Sequence, residues 1–291
     1  MAASTSSRMP WNCAWRSSSG TFIARECYTH HAMWANDARM VYQYRELLRN
    51  LILRDLRMKY KGSTIGFFWS LLHPLTMAVV YTVAFQYILR IEIPFFPLFL
   101  LSGLLPWMFF AQAVSAATAA VADNGNLVRK VAFPRIVLPM GAIGAQFVQF
   151  LLMYLVVFPL ALLIGVGLSP ALLALVPVIV LHTLFTIGLG LALSTAYVYL
   201  RDTRHLLEVA LQIWFWLTPI LYDVSRVPER LLPLLRLNPM TYFVTAYQQI
   251  VVDHRVPGLI SMTVIVAVTL TALTIGVSVF GRHQRRFAEF V

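Results

Sequence analysis

The chain has little charge. Asp, Glu, Lys and Arg together make up 12% of its 291 residues, and 12 acids face 23 basic residues. A water-facing globular surface uses roughly twice that charged fraction. With 59% hydrophobic residues and a mean hydropathy of +0.72, the composition excludes a soluble domain and predicts an integral membrane protein. Cysteine is nearly absent: Cys13 and Cys27 both lie in the polar first 40 residues, so neither a disulfide framework nor a zinc-ligand spacing can be built, and no metal is expected. Lysine is as scarce. Lys59, Lys61 and Lys130 are the whole set and none follows a glycine, which excludes a phosphate-cradling loop of the form G-x-x-x-x-G-K-[ST]. Acids are missing from the apolar segments apart from Glu208 near one end, and beside it the spans offer His73 and His182, of which His73 before Pro74 reads as a hydrogen-bonded structural histidine, so ion-coupled transport is poorly supported. Glu92, Asp202 and Asp223 fall on separate loops and form no catalytic constellation, and the chain is not expected to be an enzyme. The net charge of +11 sits beside apolar spans, where it reads as a topology signal rather than a nucleic-acid surface.

What is present is a series of apolar segments near 65–89, 97–121, 138–164, 171–199, 205–222 and 258–280. Each has about the 20 residues that a helix needs to cross roughly 30 Å of hydrocarbon. The expected fold is therefore an all-α membrane protein with six transmembrane helices. Residues 1–40 are rich in Ser and Ala without an apolar run and are expected to be a disordered extension; 41–291 form the membrane domain.

Between 41 and 61, Tyr44, Leu47, Leu48, Leu51 and Ile52 recur at helical spacing, with Arg45, Arg49 and Arg54 around them. An amphipathic helix lying in the membrane interface satisfies this pattern, and so does a solvated basic helix. Counting Lys and Arg on alternate sides gives Arg45, Arg49, Arg54, Arg57, Lys59, Lys61, Arg129, Lys130, Arg135, Arg201, Arg204, Arg282, Arg285 and Arg286 on one, against Arg90, Arg226, Arg230, Arg236 and Arg255 on the other. The positive-inside rule puts the richer side, with both termini, in the cytoplasm. Before the last span, residues 223–257 are too apolar for a plain connection and carry two short helical patterns. Asn238 followed by Pro239 reads as an N-cap and first-turn proline of a helix running to about Val252. This pair either re-enters the membrane or caps its own spans from outside.

Three stretches, in order, carry a resemblance. "RDLRMKYKGSTIGFFWSLLHPL" (54–75), "LVRKVAFPRIVLP" (127–139) and "LNPMTYFVTAYQQIV" (237–251) are similar to the surface helix and first-span entry, the first cytoplasmic loop and the outer re-entrant segment of type-2 ABC exporter permeases that move polysaccharides. The resemblance covers about residues 41–285. It implies an interface helix at the start of the domain, a re-entrant helix pair before the last span, and a homodimer of permeases in the cytoplasmic (inner) membrane driven by two copies of a separate ATPase, which would hold the ATP and Mg. This chain would itself hold no cofactor. The implied cargo is a lipid-linked polysaccharide such as O-antigen of lipopolysaccharide, teichoic acid or galactan; a drug or small-molecule exporter permease of the same superfamily is the alternative. By the same resemblance Leu127, Arg129, Lys130, Phe133, Pro134 and Arg135 belong to a coupling helix that docks in the ATPase, with Phe133 as an apolar anchor, the cations at its rim and Pro134 ending the helix.

"IGFFWSLL", "LLPWMFF" and "IWFWLTP" put Phe67, Phe68, Trp69, Trp107, Phe109, Phe110, Trp214, Phe215 and Trp216 on three spans. Sugar rings stack on aromatic faces without demanding one hydroxyl pattern, so these residues are candidates for a glycan channel. Interface belts and core packing use the same residues.

Overall fold

A computed structural model describes residues 44–62, 68–90, 93–130, 133–167 and 169–290. The expected extension 1–40 and Phe67 lie outside the described residues. Among the described residues the structure is helical, without a strand.

Helix α1, Arg45–Tyr60, matches the expected amphipathic segment. Among the described residues, five helices are long and apolar enough to span a bilayer: Phe68–Ile88, Phe96–Asp123, Val137–Leu163, Pro170–Tyr199 and Leu259–Arg286. The first consists of α2, Phe68–Thr82, continued by a wider π-helical turn over Val83–Ile88. The next are α3, Phe96–Asp123, and, after the short α4, Gly125–Lys130, helix α5, Val137–Leu163. A single 3₁₀ turn at Pro170–Ala174 leads into α6, Leu175–Tyr199. Helix α7, Thr203–Trp216, falls on the fifth expected span but has 14 residues, about 21 Å of rise. Then come α8, Leu232–Leu237, α9, Pro239–Val251, α10, Leu259–His283, and, past a 3₁₀ turn at Gln284–Arg286, the four-residue α11, Phe287–Phe290.

Helix α3 is the centre of the bundle. It is apolar all round, and a helix of that kind has to be enclosed; it packs on α5, α6 and α9, and Phe96, Leu98, Leu100, Phe110, Ala113, Val114 and Ala117 have no accessible surface. Helices α6 and α10 meet backbone to backbone. A Cβ added to Gly276 would lie 2.0 Å from the Gly188 carbonyl oxygen, and one on Gly188 would lie 2.4 Å from the Ala272 carbonyl carbon. Small residues permit such contact between spans, and Thr269 Oγ1 adds a bond to the Leu181 carbonyl at 3.4 Å.

Helix α1 lies on α5, with Leu51 and Ile52 over Gly141 and Gly144. Its Lys59 donates to Gln149 Oε1 on α5 at 2.5 Å, so the buried Gln149 carbonyl is satisfied. Arg54 pairs with Asp55 at 3.0 Å and reaches Asn124 Oδ1 at 3.3 Å, linking α1 to the junction between α3 and α4.

Helix α7 stops where its sequence turns against it. Pro219 restricts the residue before it and has no N–H to continue the ladder, and Thr218 folds its hydroxyl back to the Trp214 carbonyl at 2.8 Å. The chain then enters the interior: Thr218, Ile220 and Leu221 are buried. The carbonyls freed by the break are taken by α9 and its cap, because Asn238 Nδ2 donates to Leu217 O at 3.1 Å and Gln248 Nε2 to Pro219 O at 3.1 Å. The cap expected at Asn238 is formed, its Oδ1 accepting from Met240 N at 2.9 Å and from Trp214 Nε1 at 2.6 Å.

Candidate functional site

Residues 124–130 and 133–136 of the basic loop are held from their inner side. Asn124 closes α3, its Nδ2 donating to the Ala120 carbonyl at 2.8 Å, and its backbone carbonyl accepts from Leu127 and Val128 to start α4. Val128 is buried and holds α4 against the bundle, while Leu127 is half-buried and Arg129 and Lys130 are exposed. The six residues of α4 are too few to be stable alone, so packing has to fix them. Phe133, Pro134 and Arg135 are half-buried, and the chain re-enters the bundle with Ile136 and Val137 buried. Pro134 starts a turn, its carbonyl accepting from Val137 N at 3.1 Å.

Arg135 does not point outward with its neighbours. Its Nη1 donates to the backbone carbonyl of Gln284, just after α10. Burial pulls the Arg135 pKa below its ordinary value. That value is so high that the guanidinium stays charged at physiological pH. Sequence reasoning missed this partner because it lies 149 residues away and no local pattern encodes it.

Beside this loop, a cavity of about 540 Å³ opens between α1, the last turns of α3 from Ser115 on, the start of α5 and α7. Its wall is apolar at Leu51, Met58, Leu138, Ala142 and Leu207, and its rim carries Arg54 and Arg204 against Asp55, Asp123 and Glu208. Arg204 and Glu208 pair at 3.4 Å on α7. The exposed cations Arg129, Lys130, Arg201, Arg204, Arg282, Arg285 and Arg286 fall around the loops at this one end of the helices.

The candidate channel aromatics divide into two groups. Trp107, Phe109 and Phe110 on α3 are buried within the chain. Phe109 stacks on Phe150 at 5.0 Å and meets His182 edge-on at 5.3 Å; Phe110 stacks on Phe185 at 5.7 Å. On α7, Trp214 and Phe215 are half-buried and Trp216 is exposed. Trp107 joins the groups, 6.3 Å from Trp214 and 5.8 Å from Phe215, and Trp214 also meets Phe110 at 5.2 Å. Phe68 and Trp69 at the start of α2 are 69% and 56% exposed and stand apart from these rings.

One further cluster escaped the sequence reading. His182 is fully buried in a cage of Phe109, Phe110, Phe243 and Tyr247, with Nδ1 3.3 Å from the Tyr247 hydroxyl. The signal available was a lone histidine in a span, a residue type that faces the bundle interior and pairs with a neighbour. Among the described residues, no group of three or more His, Cys, Asp or Glu is placed to hold a metal.

Comparison with known proteins agrees with this architecture. Residues 46–252 match the family model described as ABC-2 type transporter. The O-antigen export system permease protein RfbA of Myxococcus xanthus is 36% identical over 259 residues, covering 87% of this chain and 98% of that protein. A Klebsiella pneumoniae protein of the same name is 29% identical over 252 residues, 84% and 95% of the two chains. The polysialic acid transport protein KpsM of Escherichia coli is 24% identical over 242 residues, 80% and 92%. With more than half of its length matched by the family model and near-complete coverage of a relative at 36% identity, this chain belongs to the ABC-2 type transporter family.

Proposed function

We propose that this protein is the permease subunit of an ATP-driven exporter that moves a lipid-linked polysaccharide across the cytoplasmic membrane. The observation that carries the reading is the similarity, along nearly their whole length, to proteins named as O-antigen export system permeases and as a polysialic acid transport protein. Energy comes from outside the chain: a separate ATPase subunit, in two copies, binds ATP and Mg, and two permeases form a homodimer over it. Both termini and the basic end face the cytoplasm.

In this reading α7 and residues 217–222 complete a sixth crossing. Non-helical backbone is tolerated at membrane depth where protein satisfies it, and the bonds from Asn238 and Gln248 do so here. Helices α8 and α9 are the re-entrant pair, and α1 lies in the interface with its arginines among lipid phosphates. The segment Leu127–Arg135 docks in the ATPase: Phe133 retains exposed surface for an apolar cleft, and Arg129 and Lys130 face outward beside it. Nucleotide-driven movement of this segment is passed to α1 through Asn124 and Arg54, with the neighbouring cavity giving room for the shift. Phe68, Trp69, Trp214, Phe215 and Trp216 present ring surface to the sliding glycan, while Phe67, Trp107, Phe109 and Phe110 complete the aromatic set, the last three supporting it from within.

The test is Phe133→Asp combined with Lys130→Glu, which leaves the inward Arg135–Gln284 bond in place, assayed by capture of the ATPase and by surface polysaccharide in a complemented deletion strain. Loss of a docking anchor predicts a fall of about tenfold or more in both. Survival of association and export overturns the docking role. A deletion strain that keeps its surface glycan but becomes drug-sensitive points to a small-molecule exporter of the same superfamily instead.

A further inference from the structure

At the basic end, residues 133–136 before α5 and the loop 200–202 before α7 are held by a third piece of chain that follows the last span. Arg135 of the first loop donates to the Gln284 carbonyl, and Arg201 of the second reaches the Phe290 carbonyl at 3.5 Å. Between those two bonds, Phe287 has no accessible surface. Its ring meets Phe280 edge-on at 5.2 Å and Tyr199 at 6.5 Å, and Phe290 covers the other part of Tyr199 at 4.9 Å. Helix α11 packs on α4 and on α6. Four residues cannot sustain a helix by themselves, so α11 exists because a fully buried aromatic and two arginine-to-carbonyl bonds fix it. Edge-on aromatic pairs add directional attraction to the burial, and charged donors strengthen the carbonyl bonds.

We propose that the turn Gln284–Phe290 is a positioning brace for the coupling segment: it sets the seat of α4 and ties the two loops into one surface, so that force from the ATPase reaches both. The inference rests on the permease reading above. It adds residues that touch neither nucleotide nor glycan, with Phe287 as the wedge, Tyr199 as the ring it leans on, and Arg135 and Arg201 as the ties. The exposed Arg282, Arg285 and Arg286 around the wedge extend the basic surface offered to the ATPase.

The test compares Phe287→Ala and Phe287→Leu with wild type in complexes with the ATPase reconstituted into liposomes. Two quantities are read: glycan exported per ATP hydrolysed, and amide hydrogen exchange over residues 125–130. With the wedge removed, Phe287→Ala is expected to exchange about tenfold faster at 125–130 while residues 96–120 keep their protection. Glycan moved per ATP falls about tenfold, with ATPase still captured. Phe287→Leu restores both toward wild type, because it refills most of the volume. If Phe287→Ala does not insert, Tyr199→Leu carries the same expectation, since it removes the ring that Phe287 and Phe290 share. Either readout remaining at the wild-type value overturns the brace. A wild-type chain that captures no ATPase sinks the permease reading instead, and exchange at 125–130 still reports on the brace by itself.

Discussion

Asn238 shows how much one side chain carries in an apolar interior. It caps α9 through Met240 N, accepts from the Trp214 indole, and donates to Leu217 O and Thr218 Oγ1 at 3.0 Å. Asn238→Ala removes the cap and takes this partner from the half-buried Trp214 indole N–H and the Leu217 carbonyl. A cap contributes about 1 kcal/mol, and the other lost bonds add a further cost of about 1–2 kcal/mol. The thermal midpoint of the detergent-solubilised protein is expected to fall by roughly 5–10 °C. An Asn-Pro pair before an apolar helix made the cap legible in the sequence. The bonds to Trp214 and Leu217 were not legible, because they join residues more than 20 positions apart and nothing in either local pattern requires the other.

At the scale of elements, hydropathy located the helices because a bilayer demands about 20 apolar residues in a row. It placed five of them within a few residues: 97–121 became Phe96–Asp123, and 138–164 became Val137–Leu163. It was less able to see that α7 ends at Trp216, since Leu217, Ile220 and Leu221 are as apolar as a span and only Thr218 and Pro219 mark the break. Nor could it sort the aromatics. In a helix that is apolar all round the period that identifies an inner face vanishes, so Trp107 and Phe110 read like Phe68 and Trp69 although the first pair is buried and the second exposed. Close helix approach is another pairwise property. Gly276→Ala pushes a methyl into the Gly188 backbone, which cannot rotate away, and is expected to cost about 3 kcal/mol or more. Gly144→Ala meets the end of the Ile52 side chain, 2.6 Å from Cδ1, which can turn aside. The better helix propensity of alanine offsets that contact by about 0.5–1 kcal/mol, so its thermal midpoint is expected to stay close to wild type.

For the molecule as a whole, the basic residues gathered at one end predict its orientation. In a background with Cys13→Ser and Cys27→Ser, Asn126→Cys and Asp202→Cys are expected to react with a membrane-impermeant maleimide after permeabilisation and not before. Ser225→Cys is expected to react in intact cells. Labelling of Asp202→Cys and Ser225→Cys from the same side shows that α7 does not cross. The same charges also imply a salt-sensitive grip on acidic partners and lipids, because exposed ion pairs are screened over about 8 Å at physiological ionic strength.

Two joints in this molecule differ in kind. At Gly188 and Gly276 main chain abuts main chain, a rivet that no side-chain rotation can loosen. Under α1, the bare stretches at Gly141 and Gly144 present no knobs for Leu51 and Ile52 to climb over. Leu51 and Ile52 seat directly in those two notches, a socket that the Lys59–Gln149 bond pins in place. Socket and rivet hold by different means: side chains in notches at the one, main chain on main chain at the other.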